Sequence, residues 1–158
     1  MCEKDAEWAK DRLERIRRGK RTGGDALPGA NAIEQLFFEV ADIPSLYFSG
    51  NDRSRGNSVT LENGRAKYPD FRFRDEPDKV IEVVGTYSHP PGYPECLAEA
   101  YKAAGMPALV LQEPDIVKDP RGCRRAALLF YGKCPFCGAE FTGDAQRPIK
   151  CRRCGKEM

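Results

Sequence analysis

Apolar and polar positions change their period several times along this 158-residue chain, and each change marks an element. Residues 3–19 set Trp8, Leu13 and Ile16 along an otherwise charged stretch. This is the thin stripe of an amphipathic helix too polar for a central core position. Gly19, Gly23, Gly24 and Pro28-Gly29 then read as a linker. Asn31-Ala-Ile-Glu34 has the form of a helix start, with Asn31 as cap and Glu34 at the capping-box position, and the helix runs to about Val40. Ser45–Phe48 reads as a strand. Val59–Leu61 and the segment after Asn63-Gly64 predict a hairpin closed by a type I′ turn. Asp70–Arg74 alternates as a half-buried strand should, and Lys79–Val84 is a β-branched strand ended by Gly85. A Pro-rich loop leads into a helix over Glu95–Ala104, then a short strand over Ala108–Gln112. Asp119-Pro120 opens a last helix to about Phe130. A helix between the strands at 79–84 and 108–112 predicts that those two are parallel neighbours. The order as a whole predicts an α/β fold.

Composition fits that picture. Hydrophobic residues make up 41% and charged residues 32%, the balance of a globular domain and not of a disordered chain. No apolar run approaches the ~18–20 residues of a membrane span, and the first residues lack the apolar segment of a signal peptide. The expectation is a cytoplasmic, intracellular protein with no membrane partner. The formal net charge is only +2, but basic residues cluster at both ends. Arg12, Arg15, Arg17, Arg18, Lys20 and Arg21 lie near the start, and Lys133, Arg147, Lys150, Arg152, Arg153 and Lys156 near the end. Such flanks suit phosphate contacts through counterion release, and they suit solvated surface equally.

Seven cysteines change the picture more. Cys134, Cys137, Cys151 and Cys154 form two CxxC pairs, each followed by glycine, Gly138 and Gly155. That spacing aims four thiolates at one ion, and so short a segment has too little apolar matter to fold without it. The prediction is a closed, structural Zn²⁺ ribbon in a reducing compartment, with iron the less favoured occupant. Cys2, Cys96 and Cys123 are left over and suggest no chemistry.

The carboxylates raise a second possibility. If the strands holding Asp70 and Glu82 are antiparallel neighbours, the two side chains stand about 4.5–5.5 Å apart across the pair. Two such carboxylates call for a counter-charge. A divalent cation could supply it, or Lys79 or Arg72 in a surface ion pair. Glu34 reads equally as a capping-box residue. His89, the chain's only histidine, lies in a loop between a strand end and a helix, where it is either solvated or catalytic.

Asn31–Glu34, Lys67-Tyr-Pro-Asp-Phe71, Ile81-Glu-Val-Val-Gly85, Tyr87-Ser-His89 and Leu109–Asp115 together resemble successive blocks of the PD-(D/E)xK nuclease superfamily. The nearest branch is that of very-short-patch-repair-like and EDxHD phage homing endonucleases. The resemblance spans about residues 31–130 and implies a restriction-endonuclease-like core, a central mixed sheet flanked by helices. Three regions follow: residues 1–29 as basic helix and linker, 30–131 as nuclease core, 132–158 as zinc ribbon. It also implies a catalytic set of Glu34, Asp70, Glu82, His89 and Asp115, or Glu113 in place of Asp115. Asp70 and Glu82 would hold Mg²⁺ or Mn²⁺, with Arg65 and Lys67 on the scissile phosphate. Val84 stands where the superfamily motif has lysine, which would pass part of that role to His89, and Ser88 stands where relatives carry Trp.

The function so implied is metal-dependent hydrolysis of phosphodiester bonds in double-stranded, mismatched or branched DNA. Arg15, Arg18, Lys20, Lys150, Arg152 and Arg153 would add backbone grip. Paired nicking by so small a nuclease implies a homodimer on DNA, although no interface signal is present. The missing lysine keeps a second expectation open: a degenerate nuclease fold that binds nucleic acid through its ribbon. A third is a protein-binding ribbon within a larger complex.

Overall fold

The computed structural model describes residues 3–19, 26–61, 63–87, 89–140 and 150–157. Its elements are α1 (Glu3–Arg17), α2 (Ala32–Ala41), β1 (Leu46–Phe48), β2 (Val59–Thr60), β3 (Ala66–Lys67), β4 (Phe71–Phe73) and β5 (Val80–Val84), followed by α3 (Tyr93–Ala103), β6 (Ala108–Gln112), α4 (Glu113–Lys118) and α5 (Pro120–Tyr131). The main sheet has the order β1-β4-β5-β6, and β2 and β3 form a separate hairpin. β4 pairs antiparallel with β1 and β5, while β5 and β6 run parallel across the α3 crossover, so the sheet is mixed.

Period-2 alternation along β5 divides the interior in two. Ile81 and Val83 point into the larger core, with Phe71, Phe73, Leu111 and residues of α1, α2, α4 and α5. Val80 and Val84 point the other way, against Leu97 and Tyr101 of α3 and Val59 of the hairpin. Helices thus cover both faces, as an internal parallel pair requires. Phe37 meets the Phe71 ring edge-on at 5.2 Å, and Tyr131 stacks on Phe73 at 4.3 Å. Each such ring buries apolar area that stabilises the fold by about 1.5–3 kcal/mol. Among the described residues no helix is long and apolar enough to cross a membrane.

Three expectations change and one element is added. α1, read as too polar for a central core position, buries Ala9, Leu13 and Ile16 in the larger core, while Trp8 remains half exposed. Its polarity is offset by ion pairs: Arg12 grips Glu39 at 2.7 and 2.8 Å, and Arg17 reaches Glu113 at 2.6 Å. The β2–β3 turn is not type I′. Leu61 N–H donates to Arg65 O and Gly64 N–H to Leu61 O, so the hairpin does not close at Asn63-Gly64 with a two-residue turn. Only Gly64 of Asn63-Gly64 has positive φ, whereas type I′ needs it at both residues. β4 is buried along its whole length, Arg72 included, because Arg72 turns inward to donate to Asn57 and to the Pro77 carbonyl. The strand expected over Ala108–Gln112 forms as β6, and Glu113 then opens a short helix, α4, that the pattern does not predict. The linker glycines Gly23 and Gly24 lie outside the described residues, as do Lys20 and Arg21.

Candidate active site and metal centre

The acidic site forms where β3, β4, β5 and the start of α2 meet. Asn31 caps α2 by accepting from the N–H groups of Ile33 and Glu34, and Glu34 accepts in return from the Asn31 N–H at 2.7 Å. The capping box also places Glu34 on the wall of a polar pocket of ≈ 330 Å³. Lys67, Asp70, Arg53 and Tyr68 line the same pocket. The two sequence readings of Glu34, cap and site residue, are therefore compatible.

β4 and β5 pair Phe71 with Ile81, and extending that register by one sets Asp70 opposite Glu82. The Val83 N–H donates to Asp70 Oδ2 at 2.9 Å, which fixes the carboxylate against β5. Asp70 Oδ1 has no hydrogen bond among the described residues, and Asp70 lines the pocket. Glu82 lies deeper, 1% exposed. The hydroxyl of Tyr101 donates to its Oε1, and the Lys67 ammonium stands 2.9 Å from its Oε2.

The counter-charge is neither Lys79 nor Arg72. Lys79 pairs with Glu76, and Arg72 donates to Asn57 Oδ1 at 2.8 Å and to the carbonyls of Asn57 and Pro77. Lys67 takes the role because β3 pairs with β2, Val59 opposite Lys67, and Val59 is itself buried against α3. A lysine thus reaches Glu82 from the hairpin, while Val84 packs into the apolar core beneath α3.

Burial, then the neighbouring Asp70 charge, pushes Glu82 up to about 8 and Glu34 up to about 7. Burial opposes the Lys67 ammonium, but Glu82 and Asp70 outweigh it and leave its pKa above the ordinary value. One ammonium among three carboxylates leaves a formal deficit of two positive charges, which protons or a divalent cation can fill.

His89 and Asp115 lie elsewhere. His89 is exposed and stacks on Tyr93 at 3.8 Å, outside the residues that line the pocket. Tyr93 in turn lies near enough to Lys67 to influence its charge. Asp115 is exposed in the first turn of α4, beside a different cavity lined by Lys118, Asp119 and Cys123. Glu113 is buried but committed, accepting from Arg17 and from the Thr86 N–H at 3.2 Å. Arg65 is exposed on the hairpin. Arg15 and Arg18 form loose i,i+4 pairs with Asp11 and Glu14, and Lys150 pairs with Glu157. Arg152 and Arg153 are exposed on the second cysteine turn. Tyr101 is the site residue the sequence reading missed. It shares the apolar side of α3 with Leu97, and a buried phenol needs a polar partner for its hydroxyl.

The cysteine centre is self-contained. Cys134, Cys137, Cys151 and Cys154 have sulfurs all within 4.8 Å of one another, and among the described residues they are the only group of three or more side chains that could hold a metal. Sulfurs arranged tetrahedrally at ~2.3 Å from zinc stand about 3.8 Å apart. The Cys134–Cys154 and Cys137–Cys151 sulfurs are 3.8 and 3.6 Å apart, far beyond a disulfide bond and close to the zinc spacing. Each pair is wrapped by a matching turn: Gly138 N–H donates to Cys134 O and Gly155 N–H to Cys151 O, both glycines at φ 69°. The backbone N–H groups of Cys154 and Arg153 hold the Cys151 thiol down at about 6, ready to ligate. The four cysteines therefore fit a structural metal ion such as zinc.

Comparison of the chain with family models, with curated proteins and with solved structures returns no match.

Proposed function

We propose that the protein is a metal-dependent DNA endonuclease of the PD-(D/E)xK type, with a zinc ribbon as its DNA-binding appendage. One observation carries this reading: Glu34, Lys67 and Asp70 line one polar pocket at the end of β4 and β5, with Glu82 buried behind them against Lys67. The order α2–β1–β4–β5–α3–β6, with its parallel last pair, follows the order of blocks in the resemblance and supports a restriction-endonuclease-like core.

The residues fit Mg²⁺ or Mn²⁺, since Mg²⁺ is ordinarily held by one or two carboxylates together with waters and substrate phosphate. Asp70 and Glu82 would hold it, Asp70 through its open Oδ1. Such a cation, when bound, polarises a phosphodiester and lowers the pKa of its water. Asp70 is oriented by Val83 and cannot swing away without losing that hydrogen bond. Tyr101 and Lys67 pin the two oxygens of Glu82. Lys67, 2.9 Å from Glu82, would take the lysine role that Val84 cannot, and His89 would be relieved of it. On a bound strand the Lys67 ammonium can orient a water or neutralise phosphate charge from the pocket floor.

One observation favours the degenerate binder as second reading. Both Glu82 oxygens are already engaged, so the cluster can stand as a buried structural ion pair. Plasmid nicking by zinc-loaded protein separates the two. Nicking in Mg²⁺ or Mn²⁺ is expected, lost in Asp70→Asn, strongly reduced in Lys67→Ala and largely kept in His89→Ala. Absence of cleavage on duplex, mismatched and branched DNA in both metals, with salt-sensitive binding retained in Asp70→Asn, would establish the binder instead.

A further inference from the structure

The loop between β1 and β2 forms one wall of the acidic pocket through Gly50, Asn51 and Arg53. It is unusually well tied down for an exposed loop. Buried Arg72 holds Asn57, whose amide donates to the carbonyls of Ser49 at 2.8 Å and Asp52 at 2.9 Å. Ser49 Oγ donates to Pro69 O at 2.6 Å, and the N–H groups of Ser49 and Gly50 donate to Asp70 O. The tip is fastened across the pocket, where Asn51 Nδ2 donates to Pro28 O at 2.6 Å. The adjoining Gly29, at φ 80°, lies so close to Asn51 that a Cβ there would fall 1.7 Å from Nδ2. The network positions one residue whose own chemistry it does not use. Arg53 is exposed, its guanidinium lies 4.5 Å over the Tyr68 ring, and it has no carboxylate partner among the described residues. It is one of two cations lining the pocket, and the other, Lys67, is engaged by Glu82.

We propose that Arg53, supported on Tyr68, is a phosphodiester-binding residue at the mouth of the acidic pocket, and that the 49–57 loop is a substrate-binding loop. This rests on the nuclease reading of the same pocket. An arginine fork with open donors suits a phosphate, and a ring beneath it limits the orientations it can take. A pocket lined by Glu34 and Asp70 repels the anionic strand it must accept, so an uncommitted cation at the rim is the element it otherwise lacks.

Duplex DNA of a length the protein covers is the probe, with anisotropy measured over a salt series and nicking measured in Mg²⁺. Wild type, Arg53→Ala, Arg53→Lys and Arg74→Ala are compared as full-length, zinc-loaded protein. Arg74 is a matched control, an exposed arginine 5.2 Å over Tyr47 and away from the pocket. Arg53→Ala is expected to weaken binding about tenfold at low salt and to reduce the salt slope by about one, with an unchanged melting temperature. Arg53→Lys is expected to keep the slope but lose part of the nicking rate, since a point charge does not replace the fork. Arg74→Ala is expected to change neither. Wild type that binds and nicks while Arg53→Ala matches it in affinity and slope overturns this inference and leaves the nuclease reading standing. Wild type that neither binds nor nicks overturns the nuclease reading and this inference with it.

Discussion

The cysteine centre and the acidic pocket both collect like charges, and they solve the problem in opposite ways. The ribbon brings four thiols together with two copies of one short turn, each closed by its own glycine. All four ligands are present and no position is left for a substrate, so such a site can only hold the chain together. The acidic pocket draws its charges from α2, β3, β4 and β5, and it compensates just one of three carboxylates with Lys67. It is incomplete by construction and open on one side. Closure goes with structure and incompleteness goes with chemistry.

The largest expected effect separates the two regions. Cys151→Ser should remove the ribbon's metal, since structural zinc binding in small ribbons supplies about 10–16 kcal/mol of folding free energy. Metal content by mass spectrometry should fall from one zinc per chain toward none, with hydrogen exchange rising sharply over 133–140 and 150–157. The sheet and its helices should still melt cooperatively. Loss of protection across β4 and β5 as well would show that the regions are not independent.

Next in size is Lys67→Met, which above about pH 8, where Glu82 is ionised, strands a buried carboxylate. Breaking such a pair from one side typically costs about 3–5 kcal/mol. Glu82→Gln in the same chain should recover most of that stability without recovering nicking. A urea-denaturation double-mutant cycle measures the coupling, and additive losses would mean the pair is not coupled in solution.

The pocket's charge deficit also gives a pH dependence opposite in sign to the ribbon's, whose thiolates lose metal as pH falls. Glu34 and Glu82 titrate in the folded protein at about 7 and about 8, well above their unfolded value near ~4.3. Between those limits the folded state keeps protons that the unfolded chain has released, so stability must fall as pH rises through that window. Urea denaturation near pH ~5 and near pH ~8 should show that fall, and millimolar Mg²⁺ should flatten it by replacing the protons. A slope that Mg²⁺ leaves untouched would separate the two carboxylates from cation binding. The smallest effect belongs to Asn31→Ala, about 1 kcal/mol from the lost cap, with a further drop in nicking because Glu34 keeps the backbone N–H but loses the Asn31 Nδ2 hydrogen bond at 2.7 Å.

The same contrast explains what was readable in the chain. The cysteine array was legible because its ligands are local, each pair separated by two intervening residues on one turn. The parallel β5–β6 pair and the capped helices were legible for the same reason, as were Asp70 and Glu82 facing each other across one short connection. Lys67 as the partner of Glu82 was not, because it depends on how the β2–β3 hairpin folds over α3, and no periodicity encodes that placement. Arg72 reads as a surface charge because its strand alternates, yet the larger core covers one face of β4 and Asn57 receives Arg72 on the other. Asp115 and His89 are not among the residues that line the pocket: Asp115 lies in the helix that starts at Glu113, and His89 is exposed and stacked on Tyr93.

The central claim is that Asp70 makes the pocket a divalent-cation site on DNA. Electron paramagnetic resonance of Mn²⁺, with zinc-loaded protein on a non-cleavable phosphorothioate duplex, measures it directly. Manganese bound by wild type and released in a folded, DNA-binding Asp70→Asn variant is the expected result. Equal manganese binding by both proteins, or none by either, would contradict it.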